Sequence, residues 1–475
     1  MNSLDIAGTA SRMEDTLSRQ RAAFLRDGPP TLGQRKADLL KLKAAILARR
    51  GEIEQALRED FGHRSPHETA IMELLPLVQG INYQCRNLRR WMRPEKRHVP
   101  IHFQPARAWV AYQPRGVVGI MSPWNYPMSL ALMPLATAIA AGNRAMIKPS
   151  EFTPASSALL VKMLGETFAP EQVAVVTGDA AVGQQFSALP FDHLIFTGST
   201  PVGRAVMKAA SENLVPVTLE LGGKSPVIVE KGHSMRHAAT SIAYGKLANS
   251  GQICIAPDYV LVHQDALESF VDAYDQAVRT LYPDGPAADN YTSIINERHY
   301  ERLHALLDDA RAKGATVREV GVNAADAGRR AHNLAPTVVV GVTDQMRLMQ
   351  EEIFGPVLPV IAYRELDEAI AYVNARPRPL ALYYFGGDDP QRRKVLALTT
   401  SGNVTINNTL MHYAQEDLPF GGVGPSGIGA YHGVEGFKSL SHAKGVFQQG
   451  RWNLSALLRP PFGSFARLVL KVMLR

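Results

Sequence analysis

Glu220 and Cys254 lie 34 residues apart, in the strings Leu219-Glu220-Leu221-Gly222-Gly223-Lys224 and Gly251-Gln252-Ile253-Cys254. A thiolate attacks carbonyl carbon far more readily than a hydroxyl does, and a nearby carboxylate can activate water to release the acyl group that results. The pair therefore reads as nucleophile and base of an enzyme working through an acyl thioester, with the sulfur expected to react in its ionised form. A lone cysteine between Ile253 and Ile255 is also the pattern of a small buried hydrophobe, so the assignment depends on what else the chain carries. Cys85 sits in a helical pattern with no base nearby in sequence and keeps that plain reading.

Other strings supply the remaining parts of such a site. Pro123-Trp124-Asn125-Tyr126-Pro127 fixes an amide between two prolines, and an amide N–H is what a developing oxyanion needs, which makes Asn125 the candidate donor. Ile147-Lys148-Pro149-Ser150-Glu151 places Lys148 and Glu151 where they can reach the hydroxyls of an adenosine ribose. Glu351-Glu352-Ile353-Phe354-Gly355-Pro356 offers the Glu352 carboxylate for a second ribose and the Phe354 face for a flat ring. Of two glycine strings, Gly422-x-Gly424-x-x-Gly427 follows no clear strand and opens no helix, so it reads as a turn bordering an active site or domain seam. Gly198-Ser199-Thr200-Pro201-Val202-Gly203 follows an apolar strand and enters a helix; Arg204-Ala205 excludes a Walker lysine, but a helix N-terminus with the Ser199 hydroxyl can hold a pyrophosphate.

The elements that must position these residues alternate regularly. Strand patterns at 116–121, 145–148, 173–176, 193–197 and 217–221 alternate with helical ones at 128–141, 154–168 and 202–210, which predicts a doubly wound parallel sheet with ligands at the carboxyl ends of its strands. A second round is expected after Gly251, with strands 259–263 and 337–340 and helices 267–281, 297–313 and 366–375. Helices are also predicted at 37–60 and at 68–92, the latter interrupted by Pro76.

Composition limits the classes. At 475 residues with 46% apolar content the chain is expected to form two or three globular domains. Two cysteines exclude a disulfide framework and point to a reducing, cytoplasmic setting. The polar start lacks a secretory core, and no apolar run reaches the roughly 18 residues of a membrane span. The formal charge of +7 is a small excess of 51 basic over 44 acidic residues. The cluster Arg86, Arg89, Arg90, Arg93, Lys96 and Arg97 reads as a solvated face, and neither a nucleic-acid partner nor a metal site is expected.

With these strings in order, the chain from about Gln34 to Gln448 resembles the NAD(P)-dependent aldehyde dehydrogenase superfamily. Val176-Thr177-Gly178, Asn407 to His412 and Pro419 to Gly433 look most like its class 3 branch and the coniferyl aldehyde dehydrogenases within it. The resemblance implies Cys254 as nucleophile, Glu220 as general base and Asn125 as oxyanion donor. It implies cofactor contacts from Lys148, Glu151, Gly198, Ser199, Gly203, Glu352 and Phe354. NAD is favoured, since a carboxylate at Glu151 repels a 2′-phosphate, with NADP left open by Lys148. Tyr126, Met128, His412 and Tyr413 are candidate substrate-pocket walls, with ordinary core as the alternative reading.

The implied fold is α/β and aldehyde dehydrogenase-like: a Rossmann-type NAD-binding domain (1–95 and 117–222), a second α/β catalytic domain (223–415) and a small β oligomerisation arm (96–116 and 425–450) suited to a homodimer. The implied reaction takes an aromatic aldehyde, such as coniferyl aldehyde, or a medium- or long-chain aliphatic one to the acid. A phosphorylating or coenzyme A-acylating dehydrogenase and a nonenzymatic binding protein are the rivals. The remainder, 451–475, is a basic amphipathic tail in which Arg467, Lys471 and Arg475 recur at four-residue steps among apolar residues. It suits docking on the protein's own oligomer or weak peripheral contact with a membrane.

Overall fold

The computed structural model describes residues 3–321, 330–452, 456 and 458–474. Strands rich in β-branched and apolar residues form two largely parallel sheets, each buried on both faces as parallel sheets require. In the first, the strands run in the order Gly427–Ile428, Val217–Leu221, His193–Gly198, Val117–Met121, Arg144–Lys148 and Val173–Val175. Apart from the short antiparallel edge strand Gly427–Ile428, all of these pairings are parallel. The chain reverses its winding direction between Val117–Met121 and His193–Gly198, so a crevice opens beyond their carboxyl ends, where ligands of doubly wound folds collect. Ser129–Ala141, apolar on every side and wholly buried, is the central helix of the core beside this sheet.

The second sheet has seven strands in the order Thr316–Glu319, Thr337–Val340, Val357–Tyr363, Tyr259–His263, Pro226–Val229, Ala381–Phe385 and Asn403–Ile406. Only its first member is antiparallel. This round starts earlier than expected, at Pro226–Val229, because the short segment Gly222–Ser225 leads directly from the first sheet into the second. A third, antiparallel sheet joins Glu95–Arg97, Arg107–Pro114 and Ser441–Gln448, the last in register with Arg107–Pro114 over its whole length.

The helix expected at 37–60 is two helices, Leu32–Ala48 and Arg50–Asp60, broken at Arg49. The helix expected at 68–92 contains a π-turn at Ala70–Leu74 before Leu75–Trp91. That turn belongs to a buried charge cluster. Arg64 and Glu73, both fully buried, pair at 3.2 Å, and the Arg64 guanidinium stacks on the rings of Phe61 and Tyr126. Glu73 in turn accepts the N–H groups of Met128 (2.9 Å) and Ser129 (2.8 Å), capping the central helix where its free donors and positive dipole end favour a carboxylate.

The tail forms the helix Ser464–Met473. Phe465, Leu468, Leu470 and Val472 are exposed, whereas Ala466 is buried. Arg475 lies outside the described residues. No helix among them is long and apolar enough to cross a membrane.

Candidate active site

Cys254 sits in the loop between the helix Met235–Leu247 and the strand Tyr259–His263. Glu220 lies near the end of Val217–Leu221 in the other sheet, held in register against Gly427 of the glycine-rich turn. That turn is thus at the edge of the site, as read from its sequence. The nucleophile loop is unusual in its backbone: Asn249 (φ 49°), Ser250 (φ 50°) and Gly251 (φ 74°) are all left-handed. The conformation costs a non-glycine residue roughly 1–2 kcal/mol, so surrounding bonds must hold it. A side chain on Gly251 would strike the carbonyl of Gly355, which explains the glycine.

The bonds that hold this loop also connect it to Asn125. The Asn249 amide donates to the Asn125 carbonyl at 3.0 Å, and its backbone N–H to the Glu68 carboxylate. Ser250 Oγ donates to the Thr292 carbonyl. Gln252, fully buried, donates to the carbonyls of Asn249 (2.9 Å) and Ser293 (3.1 Å) and accepts from the Ile295 N–H at 3.0 Å. Its own carbonyl accepts from Asn125 Nδ2 at 3.0 Å. Arg64 Nη1 donates to the Asn125 carbonyl at 3.1 Å. Asn125 is therefore fixed on both ends, and one side-chain N–H is left for another acceptor.

Cavities meet at Cys254 and Glu220 from two sides. One is an apolar tunnel of about 220 Å³ whose walls include Tyr126, Tyr244, Ile253, Tyr413, Phe420 and Tyr431. Ile71, Leu75 and Met411 line it and are exposed. The other is a groove lined by Trp124, Asn125, Gly198, Ser199, Glu352 and Phe354, together with His299 and Arg302. Cys254, Glu220, Leu130 and Thr197 line both. A further cleft at Glu151, Thr177 and Gly178 lies on the same sheet, beyond the ends of Arg144–Lys148 and Val173–Val175.

Electrostatically both reactive groups are shifted toward their neutral forms. Burial pushes the Glu220 carboxyl well above the ordinary range, and neither of its oxygens has a hydrogen-bond partner among the described residues. The Cys254 thiol is pushed up to about 12 by burial first, then by the charges of Glu352 and Glu220; the N–H groups of Cys254 and Ile255 only partly oppose this. Against the expectation of an ionised sulfur, the chain's own groups favour the thiol, chiefly because the sulfur is buried and then because Glu352 and Glu220 lie near it. Burial also raises Glu352 to about 8 and lowers His299 to about 4.

The groove fits a dinucleotide on its own features. The helix Thr200–Ser211 starts at it, and its N-cap Ser199 spends no side-chain hydrogen bond on the helix. A side chain on Gly198 would strike the Phe196 ring, so the backbone there is bare. Lys148 Nζ and Glu151 pair at 3.0 Å beside the cleft. Gly203 lets the helix pack on Leu221. Of the substrate candidates, Tyr126 and Tyr413 line the tunnel. Met128 is fully buried with its N–H bound to Glu73, and the buried His412 bonds Thr405 Oγ1 at 2.7 Å, so both stand behind the wall. Sequence reasoning missed His299 and Arg302, which carry no motif of their own, Phe420 and Tyr431, which lie within the string Pro419 to Gly433 without being singled out, and the buried holders Arg64, Glu68 and Gln252.

A model of the aldehyde dehydrogenase family matches residues 6–446. The chain is 51% identical over 466 residues to a probable coniferyl aldehyde dehydrogenase of Pseudomonas aeruginosa, covering 98% of this chain and 97% of that relative. It is 38% identical over 454 residues to aldehyde dehydrogenase family 3 member B1 of Rattus norvegicus, covering 95% of each. A solved structure, the substrate-bound state of Staphylococcus aureus AldH, matches with a TM-score of 0.90 at 37% identity, covering 98% of this chain and 99% of that one. The chain belongs to the aldehyde dehydrogenase family, with relatives in its class 3 branch, and is an oxidoreductase that oxidises aldehydes with NAD(P).

Proposed function

We propose that the chain converts an aromatic aldehyde of the coniferyl type, or a medium- or long-chain aliphatic aldehyde, to the carboxylic acid, with Cys254, Glu220 and Asn125 as the catalytic residues. The observation that carries this reading is the junction itself. Cys254 and Glu220 are shared by an apolar tunnel, suited to the body of such an aldehyde, and a groove suited to a dinucleotide.

In this mechanism Cys254 passes its proton to water as Sγ bonds the aldehyde carbon. The oxyanion accepts from the free Asn125 N–H and the Cys254 backbone N–H, each such donor contributing about 3 kcal/mol to the transition state. The dinucleotide, when bound, supplies the two-electron acceptor that takes the adduct to a thioester. Glu220 then draws a proton from water as the water oxygen bonds the thioester carbon, and Cys254 departs with the acid released. A base in this position favours hydrolysis over transfer to phosphate or coenzyme A, and acceleration of product formation by either would reverse that choice.

Gly198 and Ser199 are proposed to hold the pyrophosphate, Lys148 and Glu151 the adenosine ribose, and Glu352 and Phe354 the nicotinamide half, with Gly203 seating the helix beneath. NAD is the proposed cofactor, because Glu151 disfavours a 2′-phosphate even with Lys148 beside it. Residues 1–95 and 117–222 are the proposed NAD-binding domain, 223–415 the catalytic domain, and 96–116 with 425–450 the arm of a cytoplasmic homodimer. The apolar helix at 464–473 is proposed to dock on the second copy; liposome binding by the full chain that is lost on deleting 460–475 would instead support membrane contact. An aldehyde panel followed by absorbance of reduced cofactor, with NAD and NADP compared by kcat/KM, tests the reading. Turnover of aromatic and long-chain aldehydes with NAD is expected, and inactivity on all of them would overturn it.

A further inference from the structure

The string that carries Glu220 ends in Lys224, a residue with no part in the chemistry above. Its ammonium is nearly buried, with 11% of the side chain exposed, and pairs with Asp258, at 4%. Lys224 Nζ also donates to the carbonyls of Leu348 (2.7 Å) and Glu351 (2.9 Å). The second Asp258 oxygen accepts the Ile353 N–H at 2.9 Å. From the other side Arg302 donates to the carbonyls of Glu352 (3.2 Å) and Ile353.

Apart from the Lys224–Asp258 pair itself, these bonds end on the short stretch before Phe354, and Phe354 is strained. Phe354 has φ 52°, a left-handed conformation that a bulky side chain adopts only when its surroundings impose it. In that pose its ring meets Trp124 edge-on at 5.4 Å and lines the groove. Glu352 is pressed against Gly222, where any side chain would collide with its carboxylate. Loss of the clamp would let Phe354 relax and Glu352 swing away from Gly222, whereas Cys254 and Asn125 are held by the separate Asn249 and Gln252 bonds.

We propose that Lys224, through its pair with Asp258, is a positioning residue that holds Glu352 and Phe354 in the shape that binds the nicotinamide half of the cofactor. The proposal rests on the cofactor reading given above. It explains why the lysine follows the base so closely in sequence: one strand end carries the group that activates water, and the turn after it carries the anchor for the opposite wall of the groove.

The test is equilibrium binding of NADH by fluorescence, set beside the iodoacetamide alkylation rate of Cys254 in cofactor-free protein, read by peptide mass spectrometry. Three variants are measured: K224M, the double variant K224M/D258N, which leaves no unpaired aspartate, and K224R, which keeps the charge. Losing hydrogen bonds from a charged donor is expected to weaken NADH binding about tenfold in K224M and in the double variant, with K224R between them and wild type. Alkylation, measured at pH 7 and so below the range where Glu352 ionises, is expected to stay within about threefold, since the two sets of bonds share no partner. Wild-type NADH affinity in a folded K224M/D258N or K224R protein would overturn the inference, as would alkylation changing as much as binding. Failure of the wild-type chain to bind NADH would instead sink the cofactor reading.

Discussion

Asn125 Nδ2 donates to the backbone carbonyl of Gln252 at 3.0 Å, two positions before the nucleophile. Through this bond the oxyanion donor and the cysteine loop are one rigid unit, and the second amide N–H is the one left for chemistry. Asn125→Ala is expected to lower kcat about 100- to 1,000-fold with a much smaller change in aldehyde KM, since the donor acts on charge that develops only in the transition state. Steady-state kinetics check this, and a KM effect with kcat intact would assign Asn125 to binding alone.

Glu220 is predicted to limit the second half of the reaction. Burial favours its neutral form, so the fraction able to accept a proton grows as pH rises, and the hydrolytic step should accelerate with pH beyond the range where an exposed carboxyl has finished titrating. Glu220→Gln should retain a rapid burst of reduced cofactor followed by slow turnover. Stopped-flow absorbance separates the phases; a variant with no burst and unchanged steady rate would contradict the role.

Alkylation of Cys254 reports its ionisation without cofactor. With the thiol pushed up to about 12, the rate should keep climbing with pH and reach no plateau near neutrality. Glu352 contributes to that elevation, so above about pH 8, where Glu352 itself ionises, Glu352→Gln should alkylate faster than the parent. Iodoacetamide kinetics resolved by peptide mass spectrometry also keep Cys85 apart. A plateau in the neutral range would mean that some group in the protein already ionises the sulfur.

Arg64 is predicted to matter for stability in a pH-dependent way. Burial raises the Glu73 carboxyl and Arg64 is the cation that opposes this, so Arg64→Met leaves burial dominant and a carboxylate costly to ionise. A folded-state pKa above the unfolded one means stability present at low pH and lost as pH rises through the folded value. Removing one partner of a buried pair costs about 3–5 kcal/mol. Thermal unfolding across pH should show the Arg64→Met deficit widening as pH increases, with Glu73→Gln added to it narrowing the gap. A deficit independent of pH would contradict the pairing.

Much of this architecture was legible in the residues. The strands Val217–Leu221, Tyr259–His263 and Thr337–Val340 and the helix Leu267–Leu281 have the bounds that periodicity and punctuation suggest. The strands Pro226–Val229, Val357–Tyr363, Ala381–Phe385 and Asn403–Ile406 were not seen. Most are short and largely buried, which leaves little or no alternation of polar and apolar residues to read, and one begins at a proline. The N-terminal helix Ser3–Asp27 escaped for a different reason: its buried side, with Met13, Leu17 and Ala23, is thin among charges. Motif residues could be found because their chemistry is local. Arg64, Glu68 and Gln252 could not, since a buried arginine or glutamine looks like a surface one until the fold brings a carbonyl to it. The raised Cys254 thiol was hidden for the same reason: it comes first from burial and then from Glu352, 98 positions later in the chain.

The central claim is that Cys254 carries the acyl group between tunnel and groove. It is tested most directly by mixing the Glu220→Gln protein with aldehyde and oxidised cofactor, quenching after the first turnover and mapping peptides by mass spectrometry. An acyl adduct of the substrate's mass on the Cys254 peptide is the predicted result. Reduced cofactor formed with Cys254 unmodified, or an adduct on Cys85 alone, would contradict it.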